Sequence, residues 1–132
     1  MASTDPWITL GRGFEDCLAR CRRMDYILLL ARSGGQPCGF VLLDPCGVAG
    51  SPYIASIATA AQLRGQGVGS ALLAGAEDWF PEARHMFLCV SSFNARARQL
   101  YERRGYVVVG ELKDYVVPGA SEILMHKKLE RK

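Results

Sequence analysis

The sequence has no long apolar run. Its longest near a strand, Ile27 to Ala31, is far too short to span a bilayer, so no membrane partner is expected. It has no CxxC pair, and its only histidines, His85 and His126, lack ligand-like spacing, so no metal site is expected. It has no dense basic stripe: a net charge of +3 over 132 residues is too mild for nucleic acid as a partner. Long polar tracts are absent, which confines expected disorder to the two ends. The opening residues, Met1 to Trp7, offer neither a basic n-region nor an apolar h-region, so no secretory leader is expected. Five cysteines stand at 17, 21, 38, 46 and 89, an odd number. Without metal partners they read as buried structural thiols, and free thiols imply a reducing, cytoplasmic setting.

What is present is an ordinary globular mix, 49% hydrophobic and 22% charged. The length fits one domain over 1–132 with a core of its own. Phe14, Cys17, Leu18 and Cys21 space a helix over 13–23. Residues 25–32 and 37–43 read as strands about a hairpin at Ser33-Gly34-Gly35-Gln36. Asp44 to Pro52 reads as a turn-rich stretch, and Tyr53 to Thr59 as a third strand. Val68, Ala71, Leu72, Gly75, Ala76 and Trp79 form one apolar helical stripe that Pro81 ends. Met86 to Val90 is a buried strand, and Asn94 to Arg104 a helix stopped by Gly105. Strands at 106–112 and 122–129 close the chain. The strand-helix-strand unit over 53–90 demands a parallel crossover, while the hairpins demand antiparallel neighbours. The expected class is therefore α/β (α+β), a mixed and mostly antiparallel sheet flanked by helices.

A strand leads into Arg64-Gly65-Gln66-Gly67-Val68-Gly69-Ser70, and a helix starts there. The first N–H groups of a helix lack internal partners, and its dipole adds partial positive charge, so the junction can seat an anion. Glycines let backbone approach a phosphate at positive φ, and Arg64 can add a charged fork. A P-loop is excluded, because Gly69-Ser70-Ala71 stands where Gly-Lys-Ser/Thr is needed. A dinucleotide fingerprint fails from either starting glycine, since the sixth residue is Ser70 or Leu72. On these residues alone, a phosphate seat and a plain tight turn both remain open.

Two motifs together point to a family. Arg64-x-x-Gly67-x-Gly69 resembles the coenzyme-binding signature of the GNAT N-acetyltransferase superfamily. Asn94-x-x-Ala97-x-x-Leu100-Tyr101-x-x-x-Gly105-Tyr106 resembles its other common signature, in the right order and at a typical separation. The pair covers roughly 52–110. The resemblance implies an acyl-CoA N-acyltransferase fold, with the sheet splayed at a central parallel pair between the strands at 53–59 and 86–91. It implies acetyl-CoA as cofactor and CoA as product. Backbone of Ile57, Ala58 and Thr59 would bind the pantetheine arm, and Arg64 to Ser70 the pyrophosphate. Asn94 and Ala97 share a helix face with Tyr101, spanning about 10 Å at ~1.5 Å per residue, and could line that arm. By the same analogy Tyr101 is the general acid that protonates the leaving thiolate; as a residue it also reads as a core aromatic. One arginine among Arg96, Arg98, Arg103 and Arg104 could meet a cofactor phosphate, the rest being a solvated face.

Two departures from the family pattern bear on the acceptor. Many relatives carry a carboxylate on the strand before the glycine loop, and Tyr53 to Thr59 has none. The base could be a water held by Ser56, a carboxylate from the C-terminal strands (Glu122 as the tentative base, or Asp114), or nothing beyond the substrate itself. An α-amine with pKa ~7.7–8.0 needs little help, whereas a lysine-type amine at ~10.4 needs about 3 units. That favours a peptide or protein N-terminal α-amine, with a small amine metabolite as the alternative. A non-catalytic acyl-CoA-binding module, or an interaction domain with a structural glycine turn, stays open beside them. Only 24 residues precede Asp25, where relatives have a strand and two helices, so the N-terminal region is reduced. The acceptor groove is then open, or completed by a second copy in a homodimer.

Overall fold

A computed structural model describes residues 25–60, 65 and 67–131. The helix expected over 13–23 lies outside the described residues, as do Arg64 and Gln66. The described elements are β1 (Ile27–Ser33), β2 (Gln36–Val48), β3 (Ser51–Thr59), α1 (Val68–Trp79), β4 (His85–Ser91), α2 (Ala95–Arg103), β5 (Val107–Leu112) and β6 (Glu122–Lys128). The six strands form one sheet in the order β1-β2-β3-β4-β6-β5. Every neighbouring pair is antiparallel except β3 and β4. This is the mixed, mostly antiparallel sheet that the alternation of hairpins and one crossover requires.

The glycine pair at 34 and 35 turns the first hairpin, with φ of 58° and 81°, the doubly positive geometry that matches strand twist. The second hairpin departs from expectation. Asp44 to Pro52 is not a long turn: β2 runs on to Val48, and the reversal is made by Ala49 and Gly50, with φ of 49° and 82°. The turn-forming residues before it sit in a bulge, where pairing skips from Asp44–Tyr53 to Val48–Ser51. Asp44 Oδ1 accepts from Cys46 N at 3.1 Å. A Cβ on Gly47 would stand 2.5 Å from Tyr53 Cβ, so the bulge admits no side chain there.

A second bulge lies in β3. Ile54 pairs with Leu43 and Ser56 with Leu42, so the register shifts at Ala55, the extra residue of the bulge. The parallel pairing of β3 with β4 consists of Tyr53–Phe87 and Ile54–Leu88 and goes no further. β3 continues to Thr59 and β4 to Ser91, so the two strands part beyond Ile54 and Leu88.

One face of the sheet carries both described helices. Val41, Leu43, Ile54, Met86, Leu88, Val90, Ile123 and Met125 pack there with Leu72, Leu73 and Ala76 of α1 and Tyr101 of α2. Gly39 brings backbone against α1: a Cβ there would meet Ala58 O at 2.9 Å and Val68 and Leu72 side chains at 3.1 Å. Glu77, on the buried side of α1, accepts from Tyr106 Oη at 3.2 Å and Lys127 Nζ at 2.8 Å. Arg131 closes the C-terminal end of α1, donating to the carbonyls of Glu77, Phe80 and Ala83 at 2.7–2.9 Å. Glu77 O also accepts from Phe80 N at 3.4 Å and Phe80 O from Ala83 N at 3.0 Å, so Arg131 adds to the turn hydrogen bonds that follow the helix. Among the described residues no helix is long and apolar enough to cross a membrane, and no group of three or more ligand-type side chains could hold a metal.

Candidate active site

The glycine loop and the parting of β3 from β4 meet at the same end of the sheet. Gly65 and Gly67 have φ of 83° and 84°, a left-handed conformation that costs an L-residue with a Cβ about 1–2 kcal/mol. Gly67 is the N-cap of α1 and, as a glycine, brings no capping side chain of its own. The first-turn N–H groups of a helix are the donors that a phosphate seat uses. Among the described residues nothing lies within 4 Å of a Cβ placed on Gly67. The described residues Gly65 and Gly67 therefore have the left-handed backbone shape that lets a loop close on a pyrophosphate.

α2 packs beside this loop. A Cβ on Gly69 would stand 2.8 Å from Leu100 Cδ2, so glycine is what allows the two helices to close. A Cβ on Gly65 would lie 3.7 Å from Arg96 Nη2, which brings that guanidinium to the loop. Arg98 is instead paired with Glu102 at 2.9 Å along the solvent face. Of the four arginines considered from the sequence, Arg96 is the one found at the glycine turn.

Ile57, Ala58 and Thr59 lie beyond the last rung between β3 and β4, paired only on their β2 side with Val41, Phe40 and Gly39. No strand covers their other edge among the described residues. Asn94 is the N-cap of α2, and its Oδ1 accepts from Ala97 N at 3.2 Å. Its oxygen therefore serves the helix, and its amide nitrogen is the group left to face a ligand. Ala97 is half-buried against the core.

Tyr101 is 5% exposed and packs edge-on against Tyr106, with ring centroids 6.3 Å apart. Burial pushes its hydroxyl well above the ordinary phenol range, so it stays protonated. Both sequence readings of Tyr101, core aromatic and proton donor, are compatible with this position. Ser56 is buried and its hydroxyl donates to Ala55 O at 2.8 Å. Asp114 Oδ1 staples the β5–β6 loop by accepting from Gly119 N. Glu122 opens β6, opposite Ser91 of β4 and Leu112 of β5. Tyr101 lies on the helix-covered face, and strand alternation turns Glu122 to the other, with Ile123 and Met125 pointing to the core.

Sequence reasoning missed the bulge at Ala55 and the outward row Phe87, Cys89 and Ser91. The signal for the row was available, since period two inward from Leu88 and Val90 turns Cys89 and Ser91 away from the core. Tyr53 hydrogen-bonds the Cys89 thiol. Burial raises that thiol, the Tyr53 bond lowers it, and the Glu122 charge raises it again, so it is held protonated above its ordinary value.

Comparison with known proteins agrees with this geometry. The sequence profile described as the Acetyltransferase (GNAT) family matches residues 3–106. No curated protein sequence matches the chain. Among solved structures, nourseothricin acetyltransferase superposes with a TM-score of 0.74 at 27% identity, over 81% of this chain and 67% of its own. A Bacillus anthracis protein assigned as a streptothricin acetyltransferase, crystallised with acetyl coenzyme A, gives 0.74 at 24% identity, over 83% of this chain and 65% of that one. This chain thus spans about two thirds of the length of either. The ribosomal-protein-S18-alanine N-acetyltransferase from Escherichia coli gives 0.74 at 18% identity, over 98% and 92% of the two chains.

Proposed function

Because this chain belongs to the GNAT family of acetyltransferases, with acetyl-CoA as its cofactor, we propose that it acetylates a primary amine by direct attack, and that the amine is a peptide or protein N-terminal α-amine. The observation that carries the reading is the parting of β3 and β4 beside a helix N-terminus whose N-cap is a glycine at positive φ. Acetyl-CoA supplies an activated acyl thioester. The chain's residues hold, orient and move protons around it.

In this reading Gly65, Gly67, Val68, Gly69 and Ser70 present backbone N–H groups to the pyrophosphate, with Arg64 and Gln66 in the same loop. Arg96 adds its charge from α2. Ile57, Ala58 and Thr59 offer backbone groups on the open edge of β3, while Asn94 and Ala97 flank the arm from the helix side. Arg96→Ala should weaken CoA about 10-fold, or ~1.4 kcal/mol, and more so at low salt. Calorimetric titration at two ionic strengths checks this, and an unchanged Kd removes Arg96 from the site.

Tyr101 holds the proton for the departing sulfur. A free thiol near pKa ~8.5 leaves readily, so the hydroxyl contributes a directed hydrogen bond more than a strong acid. Tyr101→Phe should lower kcat about 10- to 100-fold, ~1.4–2.7 kcal/mol, with KM for acetyl-CoA little changed. Thiol release across a panel of amines and peptides is the measurement. An unchanged kcat returns Tyr101 to a purely structural role. Glu122 is the candidate acceptor of the proton that the amine must lose. Asp114 is less suited, because its Oδ1 is engaged at Gly119.

The α-amine preference has two supports. The strand before the glycine loop carries no carboxylate, which suits an amine that needs little deprotonation. The similarity to the S18-alanine enzyme runs over nearly the whole of both chains. A small cationic metabolite is the second reading, supported by the likeness to nourseothricin acetyltransferase at the higher identity.

A further inference from the structure

Past the last rung between β3 and β4, the next outward residues of β4 are Cys89 and Ser91. Ser91 lies directly opposite Glu122 on β6. Directly opposed residues of an antiparallel pair hold their Cβ atoms about 4.5–5.5 Å apart, so these two side chains are neighbours on the face away from α1 and α2. The loop beyond is fastened, since Ser92 N donates to Ser121 O at 2.8 Å and Ser121 N to Ser92 Oγ at 2.9 Å. The pair therefore sits on rigid backbone at the wide end of the splay.

Ser91 is 3% exposed, and its Oγ has no hydrogen-bond partner. A hydroxyl buried in that state is destabilising, and a ligand N–H would relieve it. Beside it stand a half-buried carboxylate, the Cys89 thiol and the Tyr53 side chain. A protonated thiol is a poor nucleophile, so Cys89 is unsuited to carrying the acyl group itself. A hydroxyl acceptor next to a carboxylate is the chemistry that holds a primary ammonium, which brings three hydrogens and one positive charge.

We propose that Ser91 and Glu122 form the seat of the acceptor amine, Ser91 Oγ accepting one N–H and the Glu122 carboxylate facing the charge, with Cys89 and Tyr53 as its walls. The inference rests on the acetyl-transfer reading above. The seated ammonium has no lone pair, so it first gives one proton to the adjacent Glu122 carboxylate. The freed amine then attacks the thioester carbonyl, the C–S bond breaks, and the second proton lost by nitrogen balances the one taken up by the CoA sulfur. Ser91 acts as a binding residue, so its loss is felt in acceptor affinity. Secondary amines, with one hydrogen fewer and a bulkier nitrogen, are discriminated against.

The test is steady-state kinetics on the full chain, using the best acceptor from the amine and peptide panel. Ser91→Ala should raise the acceptor KM about 10-fold while leaving the Kd of acetyl-CoA unchanged. Its Tm should hold or rise, because an unsatisfied hydroxyl has been removed. Ser91→Thr keeps the hydroxyl and should return KM to within about threefold of the original. Glu122→Gln should raise the acceptor KM further and reduce the preference for cationic over neutral amines. If wild-type protein turns over but Ser91→Ala and Glu122→Gln leave the acceptor KM within twofold, the seat is wrong and the acetyl-transfer reading survives. If wild-type protein releases no thiol with any amine, that reading falls and the seat with it.

Discussion

Gly67→Trp should abolish acetyl-CoA binding while the protein remains folded. Gly67 has φ of 84° and caps α1 with its backbone alone. A residue with a Cβ pays about 1–2 kcal/mol for that conformation. Among the described residues no atom lies within 4 Å of the added Cβ, so none of their core contacts is disturbed. The indole instead fills the approach to the first-turn N–H groups. The expected result is a Kd at least 100-fold weaker, ~2.7 kcal/mol, and a Tm lower by only a few degrees. Thermal shift with and without acetyl-CoA reads both. Gly75→Ala is the matched control: it also has open space around its Cβ, lies mid-helix, and should gain about 0.5–1 kcal/mol without affecting binding. A Gly67→Trp protein that still shows the wild-type cofactor shift would remove the glycine loop from the site.

The largest effect on stability should come from Glu77. It is 8% exposed and accepts from both Tyr106 and Lys127. Lys127 Nζ also lies 5.8 Å from the Tyr106 ring centroid. Removing one partner of a buried pair leaves the other charge without compensation, at about 3–5 kcal/mol. Lys127 retains some exposure, so Glu77→Ala should cost about 2–3 kcal/mol, or ~10 °C in Tm. The double change Glu77→Leu with Lys127→Met should recover most of that, because it removes both charges and keeps the volume. Urea unfolding of the single and double variants decides it. A single variant as stable as wild type would show that the pair contributes nothing net.

Much of the architecture was legible because local chemistry and period agreed. The helix from Val68 to Trp79 and the Gly34-Gly35 turn appear as expected, but the buried face of the helix is Leu72, Leu73, Ala76 and Glu77, while Ala71 and Trp79 of the expected stripe are exposed. The stretch from Asp44 to Pro52 was misread because Pro45 and Gly47 serve a bulge equally well as a turn. The pairing that distinguishes the two lies across the sheet, at Tyr53 and Ser51. The position of Arg96 beside Gly65 is likewise tertiary, as is the role of Glu77, which is fixed by residues 29 and 50 positions away. Ser91 and Cys89 could have been found by counting outward from the core positions of β4. What no local pattern supplies is the place where β3 and β4 part, since that depends on a bulge at Ala55 in one strand and two registered rungs with the other.

Those two rungs have a consequence for how the chain assembles. β1, β2 and β3 form a meander whose partners are near in sequence, which costs little loop-closure entropy and forms quickly. β4 must wait for β6, whose pairing runs from His85–Lys128 to Ser91–Glu122. The protein is thus two ladders of different folding range, joined by two rungs and the helix that crosses between them. Cooperative units separate along their weakest seam, and here the seam is the line between β3 and β4. The gap proposed to admit the coenzyme is then also the last part of the sheet to close and the first to open, so its occupancy should slow unfolding as well as support chemistry.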